Sequence, residues 1–388
     1  MILTALRYLG RGWTFDDLSE STGISEEVIR VFFHTFIEYG STILYNQHVI
    51  APQNTFEAKS HSYEFEVAGL PGAIGSMDAT HIILEKVSFK RRQSHLGFKH
   101  TCTARTYNIV VNHRRRILGT TDGHPARWND KSIVRFDGIA MGLRNGTLLS
   151  DDFIFELYDY DKDGNVTKVK YKGPWLLVDN GYHNWPVTIP PFKATTSLKE
   201  VRFSNWLESI RKDVECTFGI LKGRWRILKS GIRLQGVEPA DKIWKTCCAL
   251  HNLLLDVDGL DEKWEYGVPS DWEGALGNHD DYDVVYQMTL DRLNNPEAAR
   301  EYDISAMGRG SDEIDRIDEI DDNENDVDDL LTNDEVEIER NNERDNAIIV
   351  RNLSFQTFRN KLVTHFDIAY KKGEIKWPTR NRVRQIEF

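Results

Sequence analysis

The sequence predicts an α/β fold in which a mixed central sheet is flanked by helices. Through the middle of the chain, apolar runs that favour β-strands alternate with segments whose apolar residues recur at helical spacing. The chain has 388 residues and 40% apolar content, enough to bury the core of one large domain. Strongly acidic composition is confined to a stretch near the C terminus. We expect five regions: a helical segment at 1–60, the α/β domain at 70–256, a poorly patterned extension at 257–310, an acidic, partly disordered linker at 311–346 and a helical and basic segment at 347–388.

The N-terminal segment has the pattern of a helix-turn-helix. Thr14 and Asp17 predict a capping box, and Ser25 predicts the start of a longer helix. That helix carries the following residues at helical spacing: Val28, Val31, Phe32, Thr35 and Phe36. It also begins with two glutamates, which are unfavourable near phosphates. Two roles therefore stay open, covering the α/β domain or contacting DNA.

Residues 70–122 predict three strands. The first carries Asp78, the second spans 101–112, and the third spans 117–121 after a basic turn at 114–116. A helix at 130–143 and a β-hairpin at 151–172 follow. A further apolar run then ends at Asp179, where Asn and Gly break the strand.

Two long helices complete the domain. We expect one at 204–228, bent near Gly219 and Gly223, and another at 239–255. The resulting order is strand, strand, strand, helix, strand, helix. This is the order that an RNase H-like domain requires.

Three acidic residues have the local setting of a metal-dependent nuclease site. Asp78 and Asp179 lie on strands, and Glu215 lies on the helix that follows. Hard divalent cations prefer oxygen ligands, and two strands with one helix can bring three carboxylates to one point. Helical geometry places Glu215 on one face with Arg211, whereas Asp213 points about 200° away. The pattern predicts phosphodiester cleavage.

Four sequence blocks also resemble a known family. The blocks at 75–81, 178–185 and 211–225 are similar to the signature blocks of PIF/Harbinger transposases, including the Pong-like branch and the Harbinger-derived nucleases. The block at 247–253 resembles the helix with the sequence Leu-His-Asn that follows the catalytic core in that family. The resemblance extends over roughly residues 1–256.

The resemblance implies a DDE triad on an RNase H-like fold. Asp78, Asp179 and Glu215 occupy the matching positions, with 35 residues between the second and third acids. It further implies two Mg²⁺ or Mn²⁺ ions and double-stranded DNA as substrate, both transposon terminal repeats and target site. A Myb/SANT-like accessory protein, a homodimer and a nuclear location complete the expectation. The basic turn at 114–116 is a minimal import signal.

Basic residues around the acids predict contacts with a polyanion. Seven lie between 211 and 233, against two acids. A second cluster includes Lys90, Arg91, Arg92, Lys99 and Arg105. The residues expected to bind DNA are Arg211, Lys212, Lys222, Arg224, Arg226 and Lys99.

Several aromatic and histidine side chains have two possible roles. Trp185, Trp206 and Trp225 are candidates for stacking on a flipped base, although core packing is the simpler interpretation of each. His81 follows Asp78 on the first strand, but alternation places it on the opposite face, which favours a structural role.

The net charge of −12 arises from the acidic linker. That segment carries 17 acidic residues against three arginines, so the rest of the chain has a net charge of +2. It acts either as a solvated spacer or as a DNA mimic. The four cysteines form no CxxC pair, and no apolar stretch is long enough for a membrane span. We expect a soluble intracellular protein.

Three functions remain open from the sequence. The first is a transposase that cuts and joins DNA at transposon ends. The second is a domesticated, catalytically silent DNA-binding or regulatory protein. The third is a nuclease that cuts without joining.

Overall fold

The computed structural model describes residues 1–97, 102–149, 153–258 and 347–378. The acidic linker, nearly all of the extension at 257–310 and the predicted DNA contact Lys99 lie outside the described residues. Among the helices of these four ranges, none is long and apolar enough to cross a membrane.

The N-terminal region is helical, as expected. Its helices are α1 (Ile2–Arg11), α2 (Phe15–Thr22), α3 (Glu26–Tyr39), a π-helical turn (Gly40–Leu44), α4 (Tyr45–His48) and α5 (Thr55–Val67). The capping box is present, because the Thr14 hydroxyl accepts from the Asp17 amide and the Asp17 carboxylate accepts from the Thr14 amide. Ser25 caps α3 through the Val28 amide.

The buried face of α3 is formed by Ile29, Phe33 and Ile37. Phe32 and Phe36 are partly buried and pack against the same core, while Val28 and Val31 are 52% and 56% exposed.

The central sheet has six strands and mixed topology. Its strands are β1 (Ala73–Ile83), β2 (Ala104–Val111), β3 (Ile117–Thr120), β4 (His124–Pro125), β7 (Trp175–Leu177) and β8 (Thr188–Ile189). The order is β3-β2-β1-β7-β8, with β4 paired to β2. Strand β2 is antiparallel to β1, β3 and β4, whereas β7 runs parallel to β1 and to β8. The predicted mixed sheet flanked by helices is confirmed.

The remaining helices largely follow the predicted order. They are α6 (Phe89–His95), α7 (Asp130–Val134), α8 (Gly138–Asn145), α9 (Leu198–Arg224), α10 (Arg226–Ser230) and α11 (Glu238–Val257). The single helix expected at 130–143 is two helices, because Asp137 caps α8 through two backbone amides. The long helix α9 starts earlier than expected and continues through Gly219 and Gly223 without a break.

A second, smaller sheet includes the C-terminal segment. Strands β5 (Ile154–Tyr160) and β6 (Val166–Lys172) form the predicted hairpin, and β9 (Ala347–Ile349) pairs in parallel with β6. Helix α12 (Phe355–Lys371) follows. Its residues Phe358, Leu362 and Phe366 are buried in the same core as β1 and β7, so this segment docks on the body of the protein.

The core forms two clusters on opposite faces of the central sheet. Along β2, Val110 belongs to one cluster, while Ile109 and Val111 belong to the other, as strand alternation requires. Helices α1, α3 and α11 pack into the second cluster. Helix α9 contributes Leu207 to the first and Val214 to the second, so it spans both.

Candidate active site

Asp78 and Asp179 extend from adjacent parallel strands at the same level. The pairing of β1 with β7 ends at Ser76 and Leu177; Asp78 lies two residues further along β1, and Asp179 lies two residues past the end of β7. Because side chains alternate along a strand, a shift of two residues in both strands points both carboxylates to one face. The Asp179 carboxylate accepts from the Gly181 amide at 2.8 Å, which orients it at the strand end.

Arg211 connects Asp78 to Glu215. Its Nη1 donates to Asp78 Oδ2 at 3.2 Å, and its Nη2 donates to Glu215 Oε1 at 3.0 Å. Arg211 and Glu215 lie one turn apart on α9, so the helix presents both toward β1. Asp213 points elsewhere and bonds to His113 in the interior. The helical phase expected from the sequence is confirmed.

A fourth carboxylate, Asp130, lies beside Asp179. A methyl group placed on Gly181 would lie 2.5 Å from Asp130 Oδ2 and 3.0 Å from Asp179 Oδ1, so only glycine fits between the two carboxylates. Sequence reasoning assigned Asp130 only to the start of a helix. The available signal was the Trp-Asn-Asp sequence after the third strand, which places an acid at a helix start facing the carboxyl ends of β1 and β7.

The neighbouring carboxylates of this site repel one another when they are ionised. The pKa of Asp78 is raised to about 6, mainly by burial and to a smaller extent by the charges of Asp179 and Asp130. The Ala79 amide and Arg211 oppose this change without cancelling it. The site therefore holds negative charge that the protein compensates incompletely.

The donor set fits a hard divalent cation. All the side-chain donors are carboxylate oxygens, and the Arg211 guanidinium already stands between Asp78 and Glu215 as a positive group. Within the four described ranges, no three acidic, histidine or cysteine side chains already converge as metal ligands do. Ligation by all three acids requires Arg211 to move.

The expected DNA-binding residues divide into two groups. Lys212 and Arg226 are exposed. Lys222 Nζ instead donates to Thr80 Oγ1 at 2.8 Å, and Arg224 Nη1 lies 3.5 Å from His251 Nδ1. Burial lowers the pKa of both Lys222 and Arg224. Lys222 points to β1 two residues from Asp78, close to the acids, whereas Arg224 supports the fold.

Arg105 of the second basic cluster and two arginines of the basic turn at 114–116 pair with acidic residues of the body. Arg105 makes two hydrogen bonds to Asp241. In the basic turn, Arg114 bonds to Glu64 and Arg116 pairs with Asp256, so this turn is tied to the body. The isolated import signal inferred at 114–116 is not supported by this packing.

The Leu-His-Asn block joins α11 to the sheet edge. Asn252 accepts from the Ile117 amide at 3.0 Å and donates to the Ile117 carbonyl at 2.7 Å, as a neighbouring strand would. His251 Nε2 donates to the Arg115 carbonyl at 2.9 Å. These bonds leave α11 and cross to β3 and to the turn before it.

The remaining candidates mostly have structural contacts. His81 Nδ1 lies 2.8 Å from Thr106 Oγ1, consistent with the favoured structural role. Trp206 and Trp225 are buried, which excludes them as surfaces for a flipped base. Trp185 is partly buried, stacked on His183 and covered by the Arg144 guanidinium.

Comparison with known proteins identifies the class of this domain. Residues 77–252, which include all four carboxylates, match the family model described as DDE superfamily endonuclease. This region is therefore similar to the DDE endonucleases, in agreement with the mixed sheet and the placement of its acids.

Two proteins of Arabidopsis thaliana are similar over a longer stretch. One is Protein ALP1-like, 24% identical over 264 residues, or 66% of this chain and 60% of the relative. The other is Antagonist of like heterochromatin protein 1, 23% identical over 263 residues, or 66% of this chain and 62% of the relative. The matched part is thus less than two thirds of either relative's length. No solved structure shows significant similarity to the chain.

Proposed function

We propose that this protein is a metal-dependent DNA endonuclease of the DDE type with an RNase H-like catalytic domain. The observation that carries the proposal is the register of β1 and β7, which sets Asp78 beside Asp179, together with Arg211, which joins Asp78 to Glu215. These three acids would hold the metal. Asp130 adds a fourth carboxylate next to Asp179.

The chemistry follows from the charges of these residues. Two bound Mg²⁺ or Mn²⁺ ions would supply an activated water or 3′-hydroxyl and stabilise the leaving oxygen. The ionised carboxylates hold such cations because they are oxygen donors in a half-buried setting. Once released from the acids, Arg211 presents positive charge to a phosphate. Exposed Lys212 and Arg226 add to the attraction of the DNA backbone.

The resemblance to PIF/Harbinger transposases extends this proposal to transposition. The substrates would be transposon terminal repeats and a target site, and the reaction would include strand transfer after cleavage. A Myb/SANT-like accessory protein, a homodimer and a nuclear location belong to the same proposal. The Pong-like branch is our assignment from the quoted blocks.

A second candidate is a catalytically silent DNA-binding or chromatin regulator. Arg211 favours it, because its guanidinium already compensates two of the acids without a metal. The name of one relative, Antagonist of like heterochromatin protein 1, also favours a chromatin regulator. A nuclease that cuts without joining is intermediate between the two candidates.

Cleavage and joining assays separate these candidates. The purified chain is incubated with labelled terminal-repeat DNA and Mg²⁺ or Mn²⁺, and both cut and joined products are measured. We expect Glu215→Gln to lose cleavage by at least about 100-fold, because the amide removes a charged metal ligand. Glu208→Gln is the matched control on the exposed surface of the same helix, and its activity should stay near that of the parent.

Each outcome has a distinct meaning. Cut and joined products support a transposase, and cut products alone support a nuclease. If the parent chain binds the DNA but yields no product with either metal, the regulatory candidate replaces the enzyme. Parental cleavage by Glu215→Gln would show that the triad is assigned wrongly.

A further inference from the structure

Three aromatic rings form a cluster from residues on both sides of Asp130 in the sequence. We call this cluster the aromatic platform and define it as His124, Trp128 and Phe136. The Trp128 ring stacks on His124 at 5.1 Å with an interplanar angle of 15°. Phe136 lies 5.0 Å from His124 and 5.5 Å from Trp128. The three rings therefore support one another at the start of α7 and just after it.

The outer part of the aromatic platform is open to solvent. Phe136 is 60% exposed and Trp128 is 39% exposed, whereas His124 beneath them is buried. Burial and the nearby Arg105 lower the pKa of His124, so this ring is neutral at pH 7. The platform is thus a pair of exposed rings on a buried, uncharged base.

The surroundings of the aromatic platform are basic. Three exposed basic residues lie close in sequence to the exposed rings: Arg127, Lys131 and Arg135. Apolar rings among cations suit a ligand that carries both flat bases and phosphates. An apolar protein segment would use the rings but would leave the three positive charges without a partner of opposite sign.

The aromatic platform also lies next to the candidate active site. Trp128 is two residues before Asp130, whose carboxylate adjoins Asp179. Arg135, next to Phe136, donates from Nε to His183 Nε2 at 3.3 Å, and His183 follows Asp179 by four residues. The segments that carry Asp130 and Asp179 are therefore both connected to the platform.

We propose that the aromatic platform binds an unpaired nucleobase of the DNA strand that enters the active site. The base stacks on Trp128 and Phe136, and the adjacent phosphates contact Arg127, Lys131 and Arg135. This inference depends on the proposed DNA-cleaving function, and it adds a substrate feature, a locally single-stranded or flipped nucleotide. It also replaces Trp206 and Trp225 as stacking candidates, because both are buried.

A binding experiment without metal tests the proposal. The full chain in EDTA is titrated into labelled oligothymidylate and, separately, into an abasic strand of the same length, and fluorescence anisotropy gives both affinities. The two strands carry the same phosphates, so the ratio of affinities isolates the contribution of the bases. We expect Trp128→Ala/Phe136→Ala to weaken oligothymidylate binding by about 5- to 150-fold and to leave abasic binding unchanged.

Two further variants complete the test. Phe56→Ala removes another exposed phenylalanine, on α5, and should change neither affinity. Trp128→Phe keeps an aromatic face and should retain most of the preference for bases. Circular dichroism and the unfolding midpoint show whether each variant folds.

The proposal is overturned if the parent chain binds both strands equally, or if the folded double variant keeps the parental ratio. Because this measurement needs neither metal nor cleavage, its result is independent of the cleavage assay. Loss of cleavage with an intact base preference would refute the enzyme alone, and the reverse result would refute the platform alone.

Discussion

The two sides of helix α9 show how one element serves stability and chemistry at once. Asp213 and Glu215 are two residues apart. The Asp213 side chain is 10% exposed and bonds to the buried His113, whose other nitrogen donates to the Pro378 carbonyl. The Glu215 side chain is 50% exposed and bonds to Arg211. The interior acid is paired with a buried group, whereas the outer acid makes a half-exposed ion pair.

This difference also appears in the titration behaviour of the two sides. Burial lowers the pKa of His113, but the charge and hydrogen bond of Asp213 outweigh burial and raise it overall. On the outer side, burial raises the pKa of Asp78 to about 6 despite Arg211. An ionised pair is favoured on the interior side, whereas an ionised carboxylate is disfavoured on the outer side. Variants on the two sides should therefore have opposite effects on stability.

The largest effect should come from the interior pair. We expect Asp213→Ala to lower the free energy of unfolding by about 3–5 kcal/mol, because it leaves His113 buried without its partner. Urea denaturation measures the change. Lys212→Ala, an exposed neighbour on the same helix, should change it by less than about 0.5 kcal/mol. A loss below about 1 kcal/mol for Asp213→Ala would remove the contrast between the two sides.

Asp78→Asn should act in the opposite direction. In metal-free buffer at pH 7, we expect it to raise the free energy of unfolding by about 1–3 kcal/mol, since one pKa unit corresponds to about 1.4 kcal/mol. Urea denaturation again provides the measurement. A variant less stable than the parent at pH 7 would show that Arg211 compensates Asp78 fully.

The pH dependence gives a sharper form of the same expectation. The pKa of Asp78 is 3.8 in an unfolded reference and about 6 in the folded protein, so the folded state binds more protons between these values. Its contribution to stability therefore falls as pH rises from about 4 to 6 and stays low above that. The parent and Asp78→Asn should converge below about pH 4.

The smallest effect on stability should come from Glu215→Gln. This residue makes an exposed ion pair with Arg211, and such pairs contribute about 0–1 kcal/mol. We expect an unfolding free energy within about 1 kcal/mol of the parent, in the same variant that loses cleavage. A larger loss would mean that the outer side of α9 also maintains the fold.

The sequence predicted the parts of the fold that local pattern determines. The strands carrying Asp78 and Asp179 and the phase of α9 follow from alternation and helical geometry, which act within one element. Helix α12 likewise lies within the helical segment expected at 347–388.

The errors concern what one element meets in another. The proximity of Asp130 to Asp179 and the pairing of Arg114 with Glu64 both depend on contacts between distant parts of the chain. Spacing within the sequence does not contain that information. For the same reason, the sequence does not show that the C-terminal segment docks on the body.

That docking changes the topology of the acidic stretch. The chain leaves the described body at the end of α11 and returns to it at β9, which pairs with β6. Residues 259–346 therefore connect two fixed points of the described body. The entropy of joining two fixed points grows only with the logarithm of the length of the connection. A longer or shorter connection would therefore change the stability of the protein little while β9 and α12 keep their places.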